Sequence, residues 1–352
     1  MRNKGFKMKK KKYLAAVILG CSLSCLLTAC KSQGPENQSR IQVGVACYNQ
    51  SDTFISELTD SFKRKIGQLE SQGITATVIL KDAAGSQKTQ DDQVKELIDE
   101  GCNILCVNLV DRTDPSEIID VARENEVPII FFNREPVAED LMQWSGLYYV
   151  GADADQSGVM QGELAADAIK ADSRIDRDRD GKIQYVVLEG EAGHQDAILR
   201  TEKVVDTLKS RGIQLEKLSY GVANWNRAQA ENRMTQMIGQ HQNRIELVLA
   251  NNDDMALGAI DAYKKLNITQ STVPVFFGID GTEEGLKAIV DSKMAGTVYN
   301  DKEGQAKAMA ELAAALVSGE GMEDISFINE KYIYLPYEKI TRENVDEFLD
   351  RQ

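Results

Sequence analysis

The sequence predicts an α/β protein made of two doubly wound, mainly parallel sheets. Three observations carry this. Apolar strand-like runs alternate with amphipathic helical segments from Ile41 onward. The runs are almost continuously apolar, as strands covered on both faces are. About ten of them fall in about 310 residues, too many for one such sheet, and a chain of 352 residues predicts about two domains.

In order, IQVGVACY from Ile41 reads as the first strand. The helix after it places Ile55, Leu58, Phe62, Ile66 and Leu69 on one face and ends before Gly73. Strand ATVILKDA, helix KTQDDQVKELIDEG and strand ILCVNLV follow, then helix PSEIIDVARENE and strands VPIIFFN and LYYVGAD. The last two lack a helix of normal length between them, which argues against a single closed barrel of repeated units. Alternation then resumes. Helix QSGVMQGELAADAIKAD precedes strand IQYVVLEG, and helix DAILRTEKVVDTLKSRG precedes EKLSYGVAN. Helix RAQAENRMTQMIGQ leads to IELVLANND, helix MALGAIDAYKKLN to VPVFFGID, and helix TEEGLKAIVDSK to AGTVYN. A last long helix, EGQAKAMAELAAALVSG, precedes short extended pieces.

The N-terminus stands apart. MRNKGFKMKKKK is basic, YLAAVILGCSLSCLL is a short apolar stretch, and LTAC follows, the order of a secretory signal peptide. The ending resembles a bacterial lipobox, which implies cleavage before Cys30 and lipidation of Cys30. KSQGPENQSR then reads as a flexible tether. The basic segment holds seven positive charges and no acidic ones, so its loss changes the formal charge from −14 to −21. Such a surface repels nucleic acid and favours neutral or cationic partners. Cys47, Cys102 and Cys106 remain in the folded part. The last two would lie about 13 Å apart along a strand, too far for a disulfide, so buried free thiols are expected.

Ligands of open α/β sheets bind beyond the carboxyl ends of the strands. The residues there are Asp52 and Phe54, Asn133, then His194, Asp196 and Arg200, then Trp225, Asn252, Asp280 and Asn300. Each Asp or Asn singly suits a helix cap or turn. Together they suit a pyranose: paired acceptors and donors for vicinal hydroxyls, and flat apolar faces for the C–H patches. No position offers an activated nucleophile or a metal-bound water, so no enzyme activity is expected.

DRDRDGKIQ begins like an EF-hand calcium loop, with oxygen ligands from Asp176, Asp178 and Asp180, Gly181 at the sharp turn, the Lys182 carbonyl, and Gln184. Position 12 is Val187 instead of Glu, and the chain runs into a strand instead of a helix. A solvated acidic turn is the alternative.

The ordered set DTF, NLVD, FFNREP, YYVGAD, DRDRDGKIQ, EGEAGHQDAILR, ANNDDMALGA, FFGIDG and AGTVYND closely resembles the galactose/glucose-binding proteins of bacterial ABC transporters, from about Ile41 to Tyr337. The resemblance implies a type I periplasmic binding protein: two Rossmann-like domains joined by a three-strand hinge, with sugar between them. It implies a signal peptide at 1–29, the lipidated Cys30 and tether at 30–39, an N-terminal sugar-binding lobe of 40–152 plus 301–335, and a C-terminal lobe of 153–300 plus 336–352. Phe54 and Trp225 would sandwich the ring. Asp52 would bind the 4-hydroxyl of either epimer, Asp196 would sit near the anomeric hydroxyl, and Asn133, His194, Arg200, Asn252, Asp280 and Asn300 would bind the rest. The missing calcium ligand would be Glu246, on a strand beside the loop, making Ca2+ a structural cofactor.

The expected function is extracytoplasmic capture of D-galactose or D-glucose by a monomer. A lipid anchor would hold it at the cell membrane, and it would deliver the sugar to an ABC permease. A sugar receptor acting on a chemoreceptor or sensor kinase would use the same site. A glycosidase with paired carboxylates and a sugar-responsive repressor are weaker rivals. For the repressor, a signal peptide stands where a DNA-binding domain would be.

Overall fold

Every residue of the first strand is buried, and its side chains alternate between two cores. Val43, Val45 and Cys47 enter one and Ala46 the other. The same period of two appears at 183–189, where Val186 and Leu188 face one core while Ile183, Tyr185 and Val187 face another. Both strands are therefore covered by helices on both faces, which explains their unbroken apolar runs. The computed structural model describes residues 40–351 apart from Gly73. The signal peptide, Cys30 and the tether lie outside the described residues. No helix among the described residues is long and apolar enough to cross a membrane.

The first sheet contains β1 (Ile41–Cys47), β2 (Ala76–Asp82), β3 (Ile104–Val107), β4 (Ile129–Phe132), β5 (Leu147–Ala152) and, from far along the chain, β11 (Tyr332–Leu335). Its order is β2-β1-β3-β4-β5-β11, and every neighbouring pair is parallel. The second sheet contains β6 (Ile183–Glu189), β7 (Leu215–Val222), β8 (Leu247–Ala250), β9 (Val275–Phe277), β10 (Gly296–Asn300) and β12 (Tyr337–Thr341), in the order β7-β6-β8-β9-β10-β12. Here the edge pair β10–β12 is antiparallel. The short pieces expected after the last long helix are thus one edge strand for each sheet.

The helices of the first lobe are α1 (Thr53–Gln68), α2 (Gln87–Asp99), α3 (Ser116–Glu124) and the four-residue α4 (Ala138–Leu141), which fills the gap noted between β4 and β5. The second lobe has α5 (Ala154–Ala171), α6 (Gln195–Ser210), α7 (Arg227–His241), α8 (Asp253–Lys265) and α9 (Glu283–Val290). Next, α10 (Lys302–Ser318) returns to pack on α1, and α11 (Val345–Leu349) packs on α9. The chain passes between the sheets after β5, after β10 and between β11 and β12. In each sheet the strand order reverses beside the first-entered strand, β1 or β6, the position at which a crevice opens above a doubly wound sheet.

The three thiols are free and buried. Cys106 pairs in register with Val45, two residues from Cys47, so Cys47 and Cys106 belong to one core. Burial pushes the Cys102 thiol up to about 11.

Candidate functional site

The carboxyl ends of both sheets face one cavity containing about 350 Å³ of empty space. From the first lobe, Asp52, Phe54, Asn133 and three residues not expected at the site, Tyr48, Ile55 and Arg134, line it. From the second come His194, Asp196, Arg200, Trp225, Asn252 and Asp280. Asn300 is buried behind this wall. Its backbone N–H donates to the Asp280 carbonyl (3.0 Å), and its side-chain oxygen accepts from Gln305 (2.6 Å).

Local structure explains most of these positions. Asp52, His194 and Asn252 are the N-caps of α1, α6 and α8, so the capping role open to such residues and the cavity position coincide. Asp52 Oδ1 accepts from the Ile55 N–H (3.1 Å), and its Oδ2 accepts from the Tyr48 hydroxyl (2.6 Å). Asn252 Oδ1 accepts from the Met255 N–H (3.0 Å), while its Nδ2 donates to the Trp225 carbonyl (3.2 Å). Asn133, Trp225 and Asp280 have φ of 60°, 59° and 114°. Non-glycine residues held there cost of order 1–3 kcal/mol each and cluster at functional sites. Space for the indole comes from Gly190, where a Cβ would stand 2.2 Å from the Trp225 ring.

Arg200 organises the second lobe's half. It is buried, with Nη1 donating to the Asn251 carbonyl (2.8 Å) and Nη2 to the Tyr337 hydroxyl (3.2 Å). Asp196 and Asp280 lie 3.9 and 3.8 Å from it, close enough to attract but too far for direct hydrogen bonds. Arg200 Nε is buried without a partner among the described residues. Burial raises both carboxyl pKa values, Asp280's well above the usual range, and Arg200 opposes the rise. Burial, and then the nearby Arg134 and Arg200 cations, hold His194 well below its ordinary pKa. The ring is therefore neutral. Its Nδ1 accepts from the Asp196 N–H (3.2 Å), which places the proton on Nε2 as one donor.

Away from the hinge, bonds between described residues cross from lobe to lobe. Arg134, stacked 3.6 Å over the Tyr48 ring, pairs with Glu191 at 2.7 Å. The Thr53 hydroxyl donates to Asp254 (2.6 Å), and the Glu283 N–H donates to Glu57 (3.3 Å). Acceptors, donors and aromatic faces thus converge from both lobes with no activated nucleophile among them.

At the far end of the second lobe, β6 and β8 pair so that Glu246 reaches the 176–184 loop. Asp176, Asp178 and Glu246 each place one carboxylate oxygen within 4.8 Å of the others. Glu246 accepts from the Arg177 N–H (2.5 Å) and the Gln184 N–H (3.1 Å), and Asp180 accepts from the Gln184 amide (3.1 Å).

The family model described as "periplasmic binding protein domain" matches residues 43–321. The chain is 33% identical over 348 residues to the D-galactose/methyl-galactoside binding periplasmic protein of Haemophilus influenzae, covering 97% of this chain and 100% of that one. It is 26% identical to the ribose import binding protein of Bacillus subtilis, over 88% of this chain and 94% of that one. Among solved structures it is similar to an ABC transporter solute-binding protein from Bacillus halodurans with bound myo-inositol, with a TM-score of 0.74 and 27% identity over 90% of this chain and 99% of that one. The chain belongs to the periplasmic binding protein family, in its type I fold, and is an extracytoplasmic substrate-binding protein of ABC sugar transport, not an enzyme.

Proposed function

We propose that the chain captures D-galactose or D-glucose between its lobes and delivers it to an ABC permease by hinge closure. One observation carries this reading: neutral-polyol chemistry from both lobes lines one cavity. Asp52, Asp196 and Asp280 accept from hydroxyls; Asn133, His194, Arg200 and Asn252 donate; Phe54 and Trp225 face the ring; and Asn300 steadies Asp280 from behind. The galactose-binding relative supports a hexose over the pentose and inositol ligands of other relatives. The lobe-crossing bonds of Arg134, Thr53 and Glu57 form only when the lobes close, so they bias closure over bound sugar. Isothermal titration with D-galactose and D-glucose tests the reading: one site is expected for at least one of them. Heat from ribose or myo-inositol with neither hexose binding would refute it.

Lipidation of Cys30 would hold the protein at the membrane while the tether lets the lobes reach the permease. The 176–184 loop is a structural calcium site in this reading. The donor set is all oxygen, which suits that hard cation. Asp176 Oδ1 and Gln184 Oε1 are buried without partners among the described residues, acceptors that a cation would satisfy. Asp176, Asp178, Asp180, Gln184, Glu246 and the Lys182 carbonyl would hold it, tying the loop to β8. Calcium at a hundred times its Kd adds about 2.7 kcal/mol, so chelation should lower Tm by about 5 °C. Scanning fluorimetry with and without chelator checks this. Glu246→Gln should abolish the difference without altering hexose affinity, and a Tm indifferent to chelator would sink the calcium role.

A further inference from the structure

In front of the inner cavity lies a second, larger one of about 800 Å³ of empty space, part of it open to solvent. Tyr48, Asp52 and Trp225 line both, so the two spaces share one neck. The consecutive left-handed residues Asn224 and Trp225, at φ of 50° and 59°, hold the indole at that neck.

The outer walls have their own chemistry. They carry the amides of Asn49, Asn224, Asn226 and Gln229, and no lysine or arginine side chain. Several of these amides have capacity to spare. Asn49 Oδ1 accepts from the Ser51 N–H and hydroxyl, Asn226 Oδ1 accepts from the Gln229 N–H, and Gln229 Oε1 accepts from Asn224. The amide nitrogens of Asn49, Asn226 and Gln229 make no hydrogen bond to the described residues. Neutral donors beside an aromatic face, with Asp52 and Glu191 as the only charges, suit a neutral polyhydroxylated group and disfavour an anion.

We propose that this outer chamber is a second sugar subsite, so that disaccharides with one hexose in the inner cavity are ligands as well as the free hexose. The inference rests on the inner cavity being a hexose site. The Arg134–Glu191 pair spans the region of the neck, with Arg134 on the inner wall and Glu191 on the outer. Glu191 has 43% of its side chain exposed, so it can turn aside into solvent as the linkage between rings passes.

The test is calorimetric titration of the mature chain with D-galactose, D-glucose, lactose, melibiose, maltose and cellobiose, repeated with Gln229→Trp. That substitution projects from exposed positions of α7 and fills the chamber. At least one disaccharide should bind one-to-one and compete with hexose. In Gln229→Trp its affinity should fall tenfold or more while hexose affinity changes less than twofold, which also shows that the variant is folded. Hexose binding without any disaccharide binding overturns the proposal, as does a disaccharide whose affinity the substitution leaves alone or lowers only as much as the hexose's. If neither hexoses nor disaccharides bind, the hexose reading fails first and this one with it.

Discussion

Asp280→Asn is expected to lower hexose affinity by about thirty- to 150-fold without lowering the Tm of the sugar-free protein at neutral pH. Asparagine is the informative replacement because position 280 has a φ of 114°, which asparagine tolerates far better than alanine. It keeps the shape of the side chain and removes its charge. Hydrogen bonds to charged groups contribute about 1.5–3 kcal/mol and neutral ones about 0.5–1.5, so two hydroxyls bound by Asp280 lose roughly 2–3 kcal/mol together.

The stability side of that prediction has a different cause. Asp280 is only 5% exposed, and burial drives its carboxyl well above the usual range. Its cationic neighbour Arg200 stands at 3.8 Å and gives its best hydrogen bonds elsewhere, to Asn251 and Tyr337. Ionising that carboxyl therefore stays costly until hydroxyls reach it, which is a cost of holding a site ready. Calorimetry and thermal unfolding of the same variant separate the two effects. Affinity within threefold of the parent would remove Asp280 from the sugar's surroundings. A large fall in Tm would show that the charge is structural instead.

Much of this site is legible in the sequence because a doubly wound fold sends every strand's carboxyl end to one crevice. Once IIFFN or VLANND is read as a strand, Asn133 and Asn252 have only one place to go. What local periodicity cannot carry is pairing between distant segments. Tyr337 reaches Arg200 because β12 pairs antiparallel with β10, and 337–341 read only as an extended piece. Arg134 meets Glu191 across 57 residues, a contact between the two lobes. Tyr48 looked like the last apolar residue of a strand, yet its hydroxyl orients Asp52. Asn300 follows its strand as the others do, but its side chain accepts from Gln305 and bonds to the Asp280 carboxyl instead of lining the cavity. Regular strand is also shorter than its apolar run: VPVFFGID yields Val275–Phe277, although Gly278 and Asp280 still bond to β10.

A second buried carboxyl contributes to the pH dependence of folding. Asp253 is wholly buried where α8 begins, and Gly278 and Gly285 approach so closely that a Cβ on either would stand 2.2 or 2.3 Å from its carboxylate. One oxygen accepts from the Thr282 N–H (2.8 Å) and the other from the Thr297 hydroxyl (2.5 Å), tying α8 to the start of α9 and to β10. Burial nonetheless outweighs these bonds and pushes its pKa from 3.8 up to about 7. The folded state then holds a proton that the unfolded chain has already lost. Its contribution is fully present below about pH 4 and disappears as pH rises through about 7. At about 1.4 kcal/mol per pH unit, the native protein should lose roughly 4 kcal/mol between pH 4 and pH 8 from this group. Asp253→Asn should lack that loss: its Oδ1 can accept from Thr282 while its Nδ2 donates to the Thr297 oxygen. Denaturant unfolding of both proteins across that range gives the difference directly. It should favour the variant increasingly with pH, and parallel curves would mean that Asp253 stays ionised throughout, with its two threonines compensating the buried charge.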